Sequence, residues 1–400
     1  MSGMRFKSYA DALNDFNDVV SSVVPISLEE LHGRIAKLQS LLKERSIKAL
    51  YIDTSSSLVY FTGLTLGASE RMHGALIPAS GAVIYISPAF EEPKIKTMIR
   101  VQGEIATWEE HEDSAALVID IVSRLDASGT ILAIDPLTPF IFADNFSKVA
   151  AGTLQIVNGQ ALIVACRQVK SDNEIALIQM AMSASLAVHK SVYQGLYEGI
   201  TTTEVCEFIN KAHSKMGFKP LFAAAQFGEA TAYPHGVPYP QTLKKGDMVL
   251  IDMGAILHGY RSDITRTYVF GTPTARQQDL WLLEKQAQIA AFNAAQIGET
   301  CENVDLAARQ LLADAGYGPE YEIPGLPHRT GHGLGLDIHE EPYIVKGNLT
   351  KLEVGMCFSI EPMLCLYGEC GIRLEDIAYM TAEGPRWFTE PAASLDEPFV

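Results

Sequence analysis

Four carboxylates occupy apolar stretches of the sequence, where an unpaired charge is costly to bury. Asp252 lies in MVLIDMGAIL, and Asp263 follows eleven residues later. Glu361 and Glu375 lie in the runs MCFSIEPML and GIRLEDIAY. Burial of an isolated carboxylate is strongly unfavourable unless a cation neutralises it. Unless these residues are caps at strand ends, the pattern predicts a positively charged partner.

A β-hairpin can bring the first two carboxylates together. We predict strands at 247–254 and 261–270, with the turn centred in the middle of AILHGY, so that Asp252 faces Asp263. Directly opposed residues on antiparallel strands point to the same face, with Cβ atoms about 5 Å apart. Two like charges at that distance repel, which favours a cation between them.

A second hairpin repeats the arrangement downstream. Glu361 and Glu375 are equidistant from Gly368, seven residues on each side, so a turn centred there makes them face each other. Pro362 keeps the residue before it extended and favours a strand end or a bulge. Two carboxylate pairs across two hairpins are harder to ascribe to chance than one.

The four carboxylates carry a charge of −4, which two divalent cations would balance. Their oxygens suit Mn²⁺, Mg²⁺ or Co²⁺, and an added imidazole shifts the preference towards Mn, Co, Zn or Fe. The candidate imidazole is His332 in PHRTGHGLGLDIHEEPY, where Gly331 and Gly333 permit close approach of the backbone. We expect Mn²⁺, with Co²⁺ or Zn²⁺ as alternatives.

Simpler interpretations exist for each motif taken alone. A single aspartate at a strand end is most often a cap or a turn residue. His328 and His332 are four residues apart, but Pro327 and the glycines argue against a helix and no HExxH glutamate is present, which disfavours a zincin. The string GHGLG is not GxGxxG, which disfavours a nucleotide-binding loop.

The composition restricts the classes of partner. The 400 residues have a net charge of −17, which argues against nucleic acid and anionic membranes as partners. The six cysteines include no CxxC pair, as expected for a reduced chain. The N-terminus lacks the apolar segment of a signal peptide, and we find no apolar run of membrane-spanning length. We therefore expect a cytoplasmic protein.

The chain length and the order of elements predict two domains. Short β-like runs alternate with helical stretches up to about residue 165, which is typical of an α/β domain. A capping-box pattern, Ser171 to Glu174, opens a long helix after that point. The remainder mixes helices with the two hairpins and reads as α+β. We place the domains at 1–165 and 166–400.

The ordered set of carboxylates and histidine resembles the five-ligand site of the pita-bread metallopeptidases, the creatinase, aminopeptidase P and prolidase family. The strings IDMGAILHGYRSDITRT, HRTGHGLGLDIHEEPY, SIEPM and GIRLED carry the resemblance, which spans about residues 171–385. It implies an α+β C-terminal pita-bread domain with a smaller α/β creatinase-like N-terminal domain. It also implies two divalent metal ions, whose ligands would be Asp252, Asp263, His332, Glu361 and Glu375.

The same resemblance implies further site residues. His235 in YPHGVPY matches a substrate-pocket histidine, and His328 and His339 match two histidines around the third metal ligand. Arg373 matches an arginine that supports the site and the substrate. We expect Glu361 to act as general base, His235 to stabilise the oxyanion, and His339 to contact the substrate.

Two departures concern the same region. Many members have tyrosines where this chain has Leu257 and Cys365. The missing tyrosines put transition-state stabilisation and substrate range in question, while all five metal-ligand positions are kept.

The activity that the resemblance implies is hydrolysis of Xaa-Pro bonds in small peptides with proline at the second position, by an Xaa-Pro dipeptidase (prolidase). The alternatives are an Xaa-Pro aminopeptidase (aminopeptidase P), a hydrolase or lyase of related fold with a non-peptide substrate, and a non-catalytic binding module. The resemblance also implies a homodimer.

Overall fold

The computed structural model describes residues 6–399, and the chain divides into two compact units. The first unit is Val24–Arg167. The second is Gln168–Val400 together with the segment up to Val23. The N-terminal segment, which the sequence interpretation assigned to the N-terminal domain, therefore packs with the second unit.

That N-terminal segment contains the short helix α1 (Tyr9–Ala12) and two 3₁₀ turns. The Tyr9 ring stacks on Phe208, with ring centroids 4.1 Å apart. Ala12 and Phe16 are buried. Aromatic stacking and burial of these apolar side chains attach the segment to the second unit.

The first unit is a six-stranded sheet with helices. Its helices are α2 (Leu28–Glu44), α3 (Ser56–Thr62), α4 (Glu92–Met98), α5 (Ser114–Arg124), α6 (Phe140–Ala150) and α7 (Gln160–Arg167). Its strands are β1 (Ile47–Asp53), β2 (Gly74–Pro78), β3 (Val83–Pro88), β4 (Gly103–Trp108), β5 (Ile131–Ile134) and β6 (Gln155–Asn158). The order is β4-β3-β2-β1-β5-β6, with β1, β5 and β6 parallel. The predicted α/β architecture is confirmed.

The second unit contains the larger, mixed α+β part. Its helices are α8 (Asp172–Gly195), α9 (Thr202–Lys215), α10 (Ala275–Ala294) and α11 (Cys301–Asp314). Its strands are β7 (Lys219–Phe227), β8 (Met248–Leu257), β9 (Tyr260–Arg261), β10 (Ile264–Val269), β11 (Gly331–Gly333), β12 (Glu340–Ile344), β13 (Cys357–Ile360), β14 (Met363–Leu366), β15 (Cys370–Arg373), β16 (Asp376–Thr381) and β17 (Gly384–Trp387).

These strands form three sheets. One has the order β10-β8-β7, with β9 continuing the hairpin from β8. A second has the order β12-β11-β13-β16-β17, and β14 pairs with β15 in a third. A large apolar core lies between these strands and the helices α10 and α11. The predicted α+β class is confirmed.

Helix α8 begins at the predicted capping box. The Ser171 side chain accepts from the Glu174 backbone, and the Glu174 side chain accepts from the Ser171 backbone. By length and composition alone α8 is long and apolar enough to cross a membrane, a property that it shares with buried core helices. The helix nevertheless buries polar side chains such as Ser185 and His189 within the second unit, as a core helix does.

The first hairpin has a different register from the predicted one. Asp252 pairs with Thr265 rather than with Asp263. The turn consists of His258 and Gly259, both with positive φ (48° and 93°), which is the backbone that a two-residue hairpin turn requires. This centre lies one residue beyond the predicted one and shifts the pairing by two. A shift of two preserves the face, so both aspartates still lie on one side of the sheet.

The second hairpin has the predicted register. Leu364 pairs with Ile372 in β14–β15, and Ile360 pairs with Asp376 in β13–β16. Both pairs are symmetric about Gly368, which has a φ of 82°. Glu361 and Glu375 occupy the symmetric positions where the chain passes from one pair of strands to the other.

The buried His189 of α8 predicts how stability depends on pH. Its Nε2–H donates to the Ile264 carbonyl at 2.9 Å, and its Nδ1 has no partner among the described residues. Burial, followed by the charge of Arg266, lowers the pKa of His189 to about 3. Below pH about 6.5 this histidine is protonated in the unfolded chain, whereas in the folded chain it stays neutral down to about pH 3. The free energy of unfolding therefore falls as the pH falls through this range.

We expect His189→Gln, which can keep the donor to Ile264, to flatten the fall in unfolding free energy between pH 6.5 and 4. Urea denaturation in the presence of a chelator measures this slope for both proteins. Equal slopes for the variant and the wild type would contradict the proposed role of His189.

Candidate metal centre

Five residues from five separate stretches of the second unit converge on one site. Asp252 is in the middle of β8, Asp263 lies between β9 and β10, and His332 is the central residue of β11. Glu361 follows β13, and Glu375 precedes β16. The predicted carboxylates and histidine are thus brought together from two sheets.

The His332 imidazole lies among three of the four carboxylates. Its Nε2 is 3.0 Å from Glu361 Oε1, 3.6 Å from Asp263 Oδ2 and 3.9 Å from Glu375 Oε1. Asp263, His332 and Glu375 are all buried, and each offers a donor atom within 4.8 Å of the others. That spacing is compatible with a shared metal ion.

Hydrogen bonds hold His332 with Nε2 towards these carboxylates. Its Nδ1 is 3.0 Å from the Gly333 carbonyl, an acceptor, so Nδ1 carries a hydrogen. Its backbone N–H donates to Ser359 Oγ at 2.9 Å. This tautomer leaves Nε2 available as a metal ligand. The 3.0 Å contact with Glu361 then requires one proton between the two groups, and a cation would take the place of that proton.

The carboxylates lie close together although their charges repel each other. Burial, together with the charges of Glu375 and Asp252, raises the pKa of Asp263 well above its usual value. Burial and the charges of Glu361 and Asp252 do the same for the pKa of Glu375. Within residues 6–399, Asp252 Oδ1 and Glu375 Oε1 are buried without a hydrogen-bond partner. Buried, mutually repelling oxygens without partners fit divalent cations.

Glu361 differs from its neighbours. Burial opposes its charge, but the charge and hydrogen bond of His332, together with His328 and Arg373, lower the pKa of Glu361 to about 2. Its Oε1 also accepts from Ser359 Oγ at 3.2 Å. Glu361 is therefore the carboxylate that stays ionised most readily.

Arg373 supplies a positive charge next to the carboxylates. Its Nη2 donates to Asp252 Oδ2 at 2.7 Å, and its Nη1 donates to the Pro234 carbonyl at 2.9 Å. Its Nε donates to Thr265 Oγ1 at 3.1 Å, and that hydroxyl donates to Glu375 Oε2 at 2.7 Å. Arg373 contacts Asp252 directly and reaches Glu375 only through Thr265.

Thr265 and Ser359 are structural supports that the sequence analysis did not single out. Each lies two residues along the chain from a predicted metal ligand: Thr265 follows Asp263, and Ser359 precedes Glu361. Because side chains alternate along a strand, residues two apart share a face. That periodicity was the available signal for both.

The remaining predicted residues surround the five. The His339 ring packs nearly perpendicular to that of His332, with centroids 4.2 Å apart. Burial, and then His332, lowers the pKa of His339 to about 4, so its imidazole is neutral at pH 7. His328 donates through Nδ1 to the Arg329 carbonyl at 2.7 Å, and burial lowers its pKa.

His235 is connected to the site through its neighbour. It is exposed and follows Pro234, whose carbonyl accepts from Arg373. It also lines a cleft of about 440 Å³ between β7, the first half of α9 and the segment that ends at Gln241.

The two positions that lack the usual tyrosines are apolar in this structure. Leu257 is buried at the end of β8, beside the hairpin turn. Cys365 is buried in β14, opposite Gly371, and burial raises the pKa of its thiol to about 12. Neither side chain supplies a charged or strongly hydrogen-bonding group.

Comparison with known proteins agrees with this architecture. The profile of metallopeptidase family M24 matches residues 176–382, and that of the creatinase/prolidase N-terminal domain matches residues 34–169. The Xaa-Pro dipeptidase of Lactobacillus helveticus is 30% identical over 363 residues, which cover 90% of this chain and 97% of the relative.

Solved structures show the same fold over nearly the whole chain. The dipeptidase PepE of Mycobacterium ulcerans is 30% identical, with a TM-score of 0.85 over 93% of this chain and 99% of that one. The prolidase of Thermococcus sibiricus is 29% identical, with a TM-score of 0.80 over 92% and 98%. The chain belongs to metallopeptidase family M24, with the pita-bread fold, and is a divalent-metal-dependent peptidase.

A substitution of Thr265 tests whether its hydrogen bonds to Glu375 and Arg373 support metal binding. We expect Thr265→Val to weaken Mn²⁺ binding by about 10–100-fold, the usual cost of removing a group that orients a metal ligand. Calorimetric titration of the metal-free protein measures the affinity.

Thr267→Val is the matched control, because the Thr267 hydroxyl is equally buried on the same strand but bonds only the Arg373 backbone. Equal Mn²⁺ affinities for the two variants would contradict a specific role of Thr265.

Proposed function

We propose that the protein is a dinuclear metallopeptidase that hydrolyses Xaa-Pro dipeptides. The observation that carries the proposal is the orientation of His332, whose Nδ1 donates to the Gly333 carbonyl and whose Nε2 faces three carboxylates. The proline specificity is supported by the similarity to an Xaa-Pro dipeptidase and a prolidase. The domain division at 165/166, a homodimer and a cytoplasmic location remain part of this proposal.

The metal ligands in this proposal are Asp252, Asp263, His332, Glu361 and Glu375. Four carboxylate charges match two divalent cations, for which we expect Mn²⁺. When bound, such cations lower the pKa of water towards ~7 and polarise the scissile carbonyl.

Glu361 is the proposed general base. Its pKa is lowered, whereas those of Asp263 and Glu375 are raised, so it is ionised at neutral pH and can accept the proton of the attacking water. The Ser359 hydroxyl donates to Oε1, which holds that oxygen and leaves Oε2 for the proton. The proton then passes to the proline nitrogen as the peptide bond breaks.

Histidines and an arginine orient the substrate in this scheme. His235 donates to the oxyanion that develops on the scissile carbonyl. His339 is neutral at pH 7 and can donate to the substrate without adding a charge beside His332. Arg373 donates both to the Pro234 carbonyl, directly before His235, and to Asp252, so one guanidinium links the segment of His235 to the carboxylates.

Metal content tests the dinuclear assignment. We expect two ions per chain after Mn²⁺ reconstitution, and fewer in Asp263→Ala, with loss of activity. In the metal-free state Asp263→Ala should melt at a higher temperature than the wild type, because one of the repelling buried carboxylates is gone. Elemental analysis and thermal melts in a chelator measure both. One ion or none in the reconstituted wild type would refute the dinuclear assignment.

Substrate length and His235 test the peptidase assignment. We expect cleavage of Gly-Pro and little cleavage of Gly-Pro-Ala, whereas efficient release of glycine from the tripeptide would indicate an aminopeptidase. His235→Ala should lower kcat on Gly-Pro by about 10²–10³-fold, the usual cost of losing one oxyanion donor, with metal content unchanged. A fully active His235→Ala variant would remove that role.

A further inference from the structure

A buried ion pair involves Glu340, the residue directly after His339, whose ring packs on His332. Lys170 Nζ is 2.6 Å from Glu340 Oε1, and the side chains are only 1% and 10% exposed. Desolvation of two charges largely cancels their attraction, so such a pair is weak evidence for added stability. Its geometry suggests a positioning role instead.

The Glu340 carboxylate organises the segment between β11 and β12. Its Oε2 accepts from the Asp337 backbone N–H at 3.2 Å. Gly335 packs so closely that a Cβ there would lie 2.6 Å from Glu340 Oε1. The Gly335 carbonyl in turn accepts from the Arg261 backbone N–H at 3.0 Å. The segment is thus folded around the carboxylate and tied to β9.

Lys170 is anchored by its own backbone. Its N–H donates to the Gly355 carbonyl at 2.9 Å, and the preceding Val169 forms a β-bridge with Met356. Ser171, which follows, caps helix α8. The ammonium group is therefore presented to Glu340 from a position fixed on both sides.

The residue that this arrangement places is His339, which directly precedes Glu340. Its ring packs on His332, although His332 has its own supports in the Gly333 carbonyl and Ser359. Loss of the ion pair would therefore move His339 and leave His332 in place.

We propose that Lys170 and Glu340 are positioning residues that hold His339 in its substrate-contacting place. This inference rests on the proposed function, because it assigns His339 to the substrate. Lys170→Met should lower kcat/KM on Gly-Pro by up to about 100-fold, the scale of a displacement of about 1 Å in a catalytic site. The Mn²⁺ content should stay at the wild-type value.

A double-mutant cycle with His339→Ala separates positioning from general stability. If the pair acts through His339, Lys170→Met should have little further effect on kcat/KM once His339 is alanine. Effects that multiply in the double variant would overturn the inference. If His339→Ala alone is fully active, the substrate role of His339 fails and the inference fails with it.

Two further variants complete the test. Glu340→Gln retains the size of the side chain and the acceptor for Asp337, so it serves if Lys170→Met does not fold, and the same non-additivity with His339→Ala is expected. Lys346→Met breaks an exposed ion pair, with Glu320 at 2.7 Å, and should leave kcat/KM unchanged. A loss of activity in Lys346→Met equal to that in Lys170→Met would also count against the inference.

Discussion

Repulsion among four carboxylates is the constraint on which the rest of the metal centre depends. Burial and mutual charge raise the pKa of Asp263 and Glu375, and the positive charge of Arg373 compensates only part of the total. The fold must hold these groups together before any cation binds. The free energy for doing so comes from the surrounding hydrogen-bonded sheets and their apolar core.

The supporting hydrogen bonds form two groups, which link different residues of the site. Thr265 and Arg373 link Asp252 and Glu375, the carboxylates of the two hairpins. Ser359 links His332 to Glu361 and holds both in a defined orientation. Because these links are direct hydrogen bonds, each support restricts the rotamer of its carboxylate or imidazole. The ion pair of Lys170 and Glu340 belongs to neither group, and in our proposal it positions His339.

Much of the site could be predicted from local pattern. The symmetric spacing of Glu361 and Glu375 about Gly368 specified the second hairpin correctly, because a single glycine with positive φ marks its turn. In the first hairpin the turn residue His258 also adopts positive φ, which a histidine in the sequence does not indicate. The predicted strand register was therefore wrong by two residues. The predicted face of the two aspartates was still right, because side chains alternate between the faces with a period of two residues.

The sequence by itself determined the fold class, the helix that starts at Ser171 and the residue types of the metal centre. These features depend on local propensity, hydrophobic periodicity and the cost of burying charge, all of which can be read along the chain. Only the tertiary structure decided which partner each group has: Arg373 with Asp252, Thr265 between Arg373 and Glu375, and Lys170 with Glu340. Those contacts join residues about 110 to 170 positions apart, and their geometry follows from how sheets and helices pack in three dimensions.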